Sequence, residues 1–186
     1  MRNTRKKELS RRSFIKTGTT AATVFSIVPG HVVGANGKTP PSEKLNIAGI
    51  GIGGMGRGNI GACKGENVVA LCDVDSAYAG KTFKAHPNAA TYVDYRVMLE
   101  KQKDIDAVVI ATPDHTHAVI TMAAIEMGKH VYCQKPLTHT VEEARKITAA
   151  ARASKVQTQM GNQGHSSDAI RRSEEHTSEL QSHLNL

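Results

Sequence analysis

Six residues limit what this chain can fold into more than any others. Gly51-Ile52-Gly53-Gly54-Met55-Gly56 follows directly on a short apolar run, Leu45 to Ile50, and that arrangement reads as a tight passage from a buried strand into a helix. Gly51 permits the turn, Gly53 lets the main chain approach a diphosphate, and Gly56 lets the helix pack closely on the strand. The helix that follows offers free N–H groups and the positive end of its dipole to an anion. A second apolar run, Val68 to Cys72, ends at Asp73, 22 residues after Gly51. That is close to the place of an acid that accepts a hydrogen bond from the 2′-hydroxyl of a ribose. Gly51, Ile52, Gly53, Gly54, Met55, Gly56 and Asp73 are thus the expected contacts of a dinucleotide. A carboxylate at 73 repels a 2′-phosphate, which favours NAD over NADP. Arg57 and Asp75 complicate that preference, and Asp75 reads better as a helix cap than as a cofactor contact.

Beyond the glycine loop the chain alternates between short apolar runs and helical stretches. Strands are expected at Leu45 to Ile50, Val68 to Cys72, Ala90 to Val93, Ile105 to Ala111, His130 to Cys133 and Val156 to Met160. Helices are expected at Arg57 to Cys63, Ala77 to Ala85, Tyr95 to Lys101, Ala118 to Met127 and Val141 to Ala153. Thr140 and Glu143 form the signature of a capping box, in which each side chain satisfies a free backbone N–H. Gly128 stops the preceding helix as a left-handed residue would. Such alternation predicts an α/β fold, a doubly wound parallel sheet of the Rossmann type with right-handed crossovers. Its ligand crevice lies at the carboxyl ends of the strands.

Two of those carboxyl-end loops carry further motifs. Ala111-Thr112-Pro113-Asp114-His115-Thr116-His117 ends the fourth strand, and Cys133-Gln134-Lys135-Pro136-Leu137 ends the fifth. Together with the glycine loop, over roughly Lys44 to Arg171, they resemble the Gfo/Idh/MocA oxidoreductase family, whose members show TPxxxH and Glu-Lys-Pro here. Thr112, Pro113 and His117 match the first motif, and Lys135 with Pro136 the second. Gln134 stands where the family usually has Glu, which keeps hydrogen bonding but removes a charge beside Lys135. The resemblance implies an NAD(P)-dependent enzyme moving hydride between nicotinamide and a sugar or cyclitol hydroxyl. It implies Lys135, partly desolvated beside the cofactor, as the group that handles the hydroxyl proton. Thr112, Pro113, His117, Gln134 and Pro136 join the expected cofactor contacts, with Pro136 in the cis form seen in relatives. It also implies a homo-oligomer, and a second α/β domain for substrate that follows this sheet and is missing here. Two other classes stay open: a non-catalytic NAD-binding module, and a methyltransferase, which does not account for the Thr-Pro and Lys-Pro loops.

The charge of +7 suggests a polyanionic partner only if it is spread over the folded surface, and it is not. Residues 1–35 hold seven bases and one acid, the last fourteen hold three glutamates, and the stretch between keeps 17 bases against 13 acids. With 4% aromatic residues and no basic stripe, nucleic acid is not an expected partner. Ser10-Arg11-Arg12-Ser13-Phe14-Ile15-Lys16, followed by a mildly apolar run to Val28, looks like a twin-arginine export signal. The expectation is a signal peptide over 1–35, ending in Val33-Gly34-Ala35, a linker over 36–43, and a periplasmic or extracytoplasmic domain over 44–171. The twin-arginine translocase is then a partner. A retained membrane anchor is the alternative, although Thr19, Thr20, Thr23 and Ser26 interrupt the apolar run. A folded protein exported with an irreplaceable cofactor must regenerate it in place, by coupling two sugar reactions or by oxidising and re-reducing one sugar. The latter is the chemistry of an NAD-dependent glycoside hydrolase, a second expectation. Residues 172–186 resemble a translated sequencing adapter and are expected to be non-native. Cys63, Cys72 and Cys133 form no CxxC pair and suggest neither a disulfide framework nor a metal site.

Overall fold

In the computed structural model of the protein, the description covers residues 39–166 together with 168, 170, 172 and 173. The expected export signal and most of the expected adapter tail lie outside the described residues. Pro41–Glu43 form one 3-10 turn, closed by Glu43 N donating to Pro40 O at 3.0 Å. The α/β unit begins at Lys44.

Six strands build it: β1 (Asn46–Ile50), β2 (Asn67–Cys72), β3 (Ala90–Tyr92), β4 (Ala107–Ile110), β5 (His130–Gln134) and β6 (Thr158–Gly161). All pairings are parallel, in the order β3-β2-β1-β4-β5-β6. The helices are α1 (Met55–Ala62), α2 (Gly80–Ala85), α3 (Tyr95–Lys101), α4 (His117–Glu126) and α5 (Val141–Ala153). This is the doubly wound parallel sheet that the alternation predicts.

Both faces of the central strands are covered, which is why β1 and β4 read as continuous apolar runs, while the edge strands β3 and β6 stay partly exposed. On one face Ala48, Ile50, Val108, Ile110, Val131 and Cys133 pack with Met98 and Leu99 of α3, Ile120 and Ile125 of α4, and Ile147 of α5. On the other, Ile47, Leu71 and Val109 pack with Ile60 of α1 and with Ala79 and Phe83 at α2. Three glycines in eight residues make α1 a weak helix by propensity. Its place is therefore set by burial of Ile60, a side chain worth about 1.5–3 kcal/mol when fully removed from water.

Helix ends follow their caps. Asp94 accepts from Arg96 N at 2.9 Å and starts α3. Thr140 and Glu143 exchange the reciprocal bonds of the capping box at the start of α5, and Gly128 after α4 has φ of 71°. Several bounds shift by two residues, α1 starting at Met55 and β4 at Ala107, and one by three: the helix expected from Ala77 starts at Gly80. Asp75 Oδ1 accepts from Ala77 N (3.0 Å) and Tyr78 N (2.9 Å), so residues 76–79 form a capped turn ahead of it. β6 starts two residues later than expected, at Thr158.

Candidate functional site: the cleft at the switch point

β1 lies between β2 and β4, so the winding direction reverses there and the carboxyl-end loops diverge to open a crevice. The glycine loop forms its floor. Gly51 has φ of 76°, a left-handed conformation that costs a residue with a Cβ. A Cβ there would also lie 2.7 Å from Thr112 N. Gly51 N donates to Cys72 O at 2.9 Å, which ties the start of the turn to β2. A Cβ on Gly56 would run into the carbonyl oxygen of Gly51, so the third glycine does let the helix close onto the turn.

Asp73 does more than wait for a ribose. Its Oδ2 accepts from Ile52 N (2.8 Å) and Gly53 N (3.0 Å), and its Oδ1 from Asp75 N (3.0 Å). Three main-chain donors fix the carboxylate, and the carboxylate in turn fixes the glycine loop. Asp75 is the cap that the sequence suggests. Its turn delivers Tyr78, whose ring lies against Gly53 with its hydroxyl toward Gly54. Sequence reasoning missed Tyr78; the available signal was its place three residues after a capping aspartate that follows the ribose acid.

The cleft has a volume of about 630 Å³, and Gly51, Gly53, Asp73, Val74, Val93 and Thr112 are among the residues that line it. Gly54 and Pro113 line it too. Of the other expected contacts in the loop, Ile52 is buried in the core below and Met55 is exposed. Cys72 also faces the cleft. Burial first, then the negative charges of Asp73 and Asp94, push its thiol up to about 12. It stays protonated and is no nucleophile. Among the described residues no group of three or more His, Cys, Asp or Glu side chains could hold a metal.

The loop after β4 borders the cleft, whereas Gln134, Lys135 and Pro136 of the loop after β5 are not among its lining residues. Thr116 Oγ1 donates to Pro113 O at 2.7 Å and stands 2.8 Å from Thr112 Oγ1, which folds the Thr-Pro loop onto the start of α4. The Lys135–Pro136 peptide is cis. Lys135 is exposed and follows directly on the carboxyl end of β5. Gln134 is buried, its Oε1 accepts from Lys135 N at 3.3 Å, and its Nε2 has no partner among the described residues. Gly161 makes room for it, since a Cβ there would lie 3.0 Å from Gln134 Oε1. His117 is 1% exposed, with both ring nitrogens on main-chain carbonyls. It therefore meets the site through the backbone rather than by facing the cleft.

Residues 45–162 match the sequence profile of the Gfo/Idh/MocA oxidoreductase family, NAD-binding Rossmann fold. The chain belongs to this family. The Cβ-less turn that lines the cleft at Gly51, Gly53 and Gly54, and the fixed Asp73 carboxylate beside it, fit the NAD that the family's domain binds. An inositol 2-dehydrogenase of Klebsiella pneumoniae subsp. pneumoniae is 36% identical over 115 residues, 59% of this chain and 33% of that protein. A glycosyl hydrolase family 109 protein of Solibacter usitatus is 32% identical over 126 residues, 61% of this chain and 29% of that protein. Among solved structures, a myo-inositol 2-dehydrogenase from Lactobacillus plantarum superposes with a TM-score of 0.67 at 25% identity, over 74% of this chain and 42% of that one. The chain spans about a third of the length of the curated relatives it matches.

Proposed function

We propose that this domain serves an NAD-dependent oxidoreductase acting on a hydroxyl of a cyclitol or sugar. The observation that carries the cofactor preference is the Asp73 carboxylate, held by three backbone N–H groups. It accepts readily from a ribose hydroxyl and repels a 2′-phosphate, so NAD is preferred to NADP. NAD, when bound, supplies the hydride acceptor. Gly51, Gly53 and Gly54 line the part of the cleft that takes its diphosphate once the Tyr78 ring moves off Gly53, and Thr112 borders the same cleft. Lys135, at the carboxyl end of β5, takes the proton of the substrate hydroxyl as general base and returns it in the reverse direction. Lys135 works in this role once substrate and cofactor have excluded water from it. The names of the inositol dehydrogenase relatives support a cyclitol as substrate.

A second reading has support from the relative named for glycosyl hydrolase family 109: transient oxidation of a glycoside, elimination and re-reduction, with no net redox change. The twin-arginine pattern at Ser10 to Lys16 favours such a closed cycle, because it implies export of a folded protein with its cofactor already loaded. In this proposal the site of action is extracytoplasmic. The test is to purify the protein encoded at the native locus and supply myo-inositol with NAD while following absorbance of the reduced cofactor, and in parallel a chromogenic glycoside without added cofactor. Reduction of added NAD supports the dehydrogenase. Glycoside cleavage with no net reduction supports the closed cycle. Binding of NADP in preference to NAD would overturn the assignment of Asp73.

A further inference from the structure

His117 opens α4 at 1% exposure, while its neighbour His115 is exposed. A buried imidazole needs partners for its ring nitrogens. Nδ1 lies 2.6 Å from Pro136 O and Nε2 lies 2.8 Å from Thr112 O. A carbonyl only accepts, so each contact is a hydrogen bond when that ring nitrogen carries a proton; a neutral ring donates to one of the two carbonyls at a time and packs against the other. The ladder between β4 and β5 runs only from Ala107↔His130 to Ile110↔Cys133. Thr112 and Pro136 lie beyond its end, where no strand pairing holds one loop against the other. The His117 ring spans that gap. One of its partners is the carbonyl immediately after Lys135; the other belongs to a threonine that lines the cleft.

We infer that His117 is a positioning residue that clamps the loop after β5 to the loop after β4, and so holds Lys135 and Thr112 at the nicotinamide half of the cleft without touching the cofactor. The inference rests on the reading of the cleft as the NAD site with Lys135 at its reacting end. A histidine that merely completes the core would matter to stability alone, whereas a clamp matters to one half of the ligand. ADP-ribose provides the contrast, because it carries the adenosine and diphosphate of NAD without the nicotinamide.

The experiment is calorimetric titration of the chain, as wild type and as His117→Phe, with NAD and with ADP-ribose. Phenylalanine fills the space and removes both ring-nitrogen contacts. Loss of a residue that orients a ligand-contacting group costs on the order of tenfold or more. The clamp predicts that NAD binds about tenfold more weakly to His117→Phe while ADP-ribose changes less than about twofold. His117→Asn, which is too short to span both carbonyls, gives the same comparison should the phenylalanine variant not fold. A folded variant that keeps the wild-type ratio of NAD to ADP-ribose affinity overturns the clamp alone. A wild-type chain that binds both ligands equally overturns the underlying reading, and the clamp with it.

Discussion

Replacing Gly56 by alanine tests the closest approach in the cradle. The new Cβ would run into the Gly51 carbonyl oxygen, with Gly51 C at 3.0 Å and Ala111 Cβ at 3.2 Å. The obstacle is backbone, pinned by Gly51 N bonding Cys72 O and by Ile52 and Gly53 bonding Asp73, so it cannot rotate aside as a side chain would. Overpacking usually costs about 1–3 kcal/mol, and an immobile partner places this site at the upper end, about 3 kcal/mol. At about 2–4 °C per kcal/mol for a domain of this size, the melting temperature should fall by roughly 6–12 °C. Gly58 is an internal control two residues along the same helix, with nothing within 4 Å of its Cβ position. Alanine there should be stabilising by about 0.5–1 kcal/mol through helix propensity. Thermal melts by circular dichroism, with and without NAD, measure both. If Gly56→Ala melts within about 1 °C of wild type, the argument that α1 is locked against the turn is refuted.

Thr140→Ala removes half of the capping box and should cost about 1 kcal/mol, read as a shift in the denaturation midpoint. Backbone N–H groups of Thr140 and His139 hold Glu143 below its ordinary value of 4.5. Its contribution is therefore complete above about that pH and is lost as acid titrates through the lower folded value. Glu143→Gln should flatten that part of the stability profile, and an unchanged slope between pH 5 and 3, on the order of one group's titration, would count against it. With its thiol pushed up to about 12, Cys72 should resist a thiol reagent at about pH 8, and half-buried Cys63, which burial and Glu66 also push up, should label slowly but ahead of it; rapid labelling mapped to Cys72 contradicts this. Tyr78 occupies the face of Gly53 that a diphosphate must approach, so Tyr78→Ala should speed NAD association several-fold in stopped flow. An unchanged rate means the ring is no obstacle.

Much of this structure is legible without coordinates because the signals are local. Asp94 and Thr140 cap their own helices, and Tyr95–Lys101 and Val141–Ala153 appear at the expected bounds. The glycine spacing places the turn because Gly56 answers to Gly51 within it, whereas Gly53 and Gly54 answer to Tyr78, a contact across the chain. What stays illegible depends on contacts across the chain. Asp73 reaches back about twenty residues to Ile52 and Gly53, and no pattern in either segment says that the acid also fixes the loop. His117 reads as a motif residue near the cofactor, yet its partners are carbonyls, which sequence does not distinguish from one position to the next. Lys135 reads as desolvated because a motif implies its role; its exposure depends on what surrounds it in space.

The switch point at β1 also has a consequence for how specificity can be altered. With the order β3-β2-β1-β4-β5-β6, the acid and glycines proposed to meet the adenosine and diphosphate all precede Tyr95, and the loops flanking Lys135 all follow Ala107. On that proposal, preference for the nucleotide and placement of the reacting carbon belong to two separate, contiguous stretches of chain. They abut where the Cβ-less Gly51 meets Ala111 and Thr112. A change of dinucleotide can therefore be drafted wholly in the first stretch, and a change of substrate geometry wholly in the second, so long as that seam keeps its glycine.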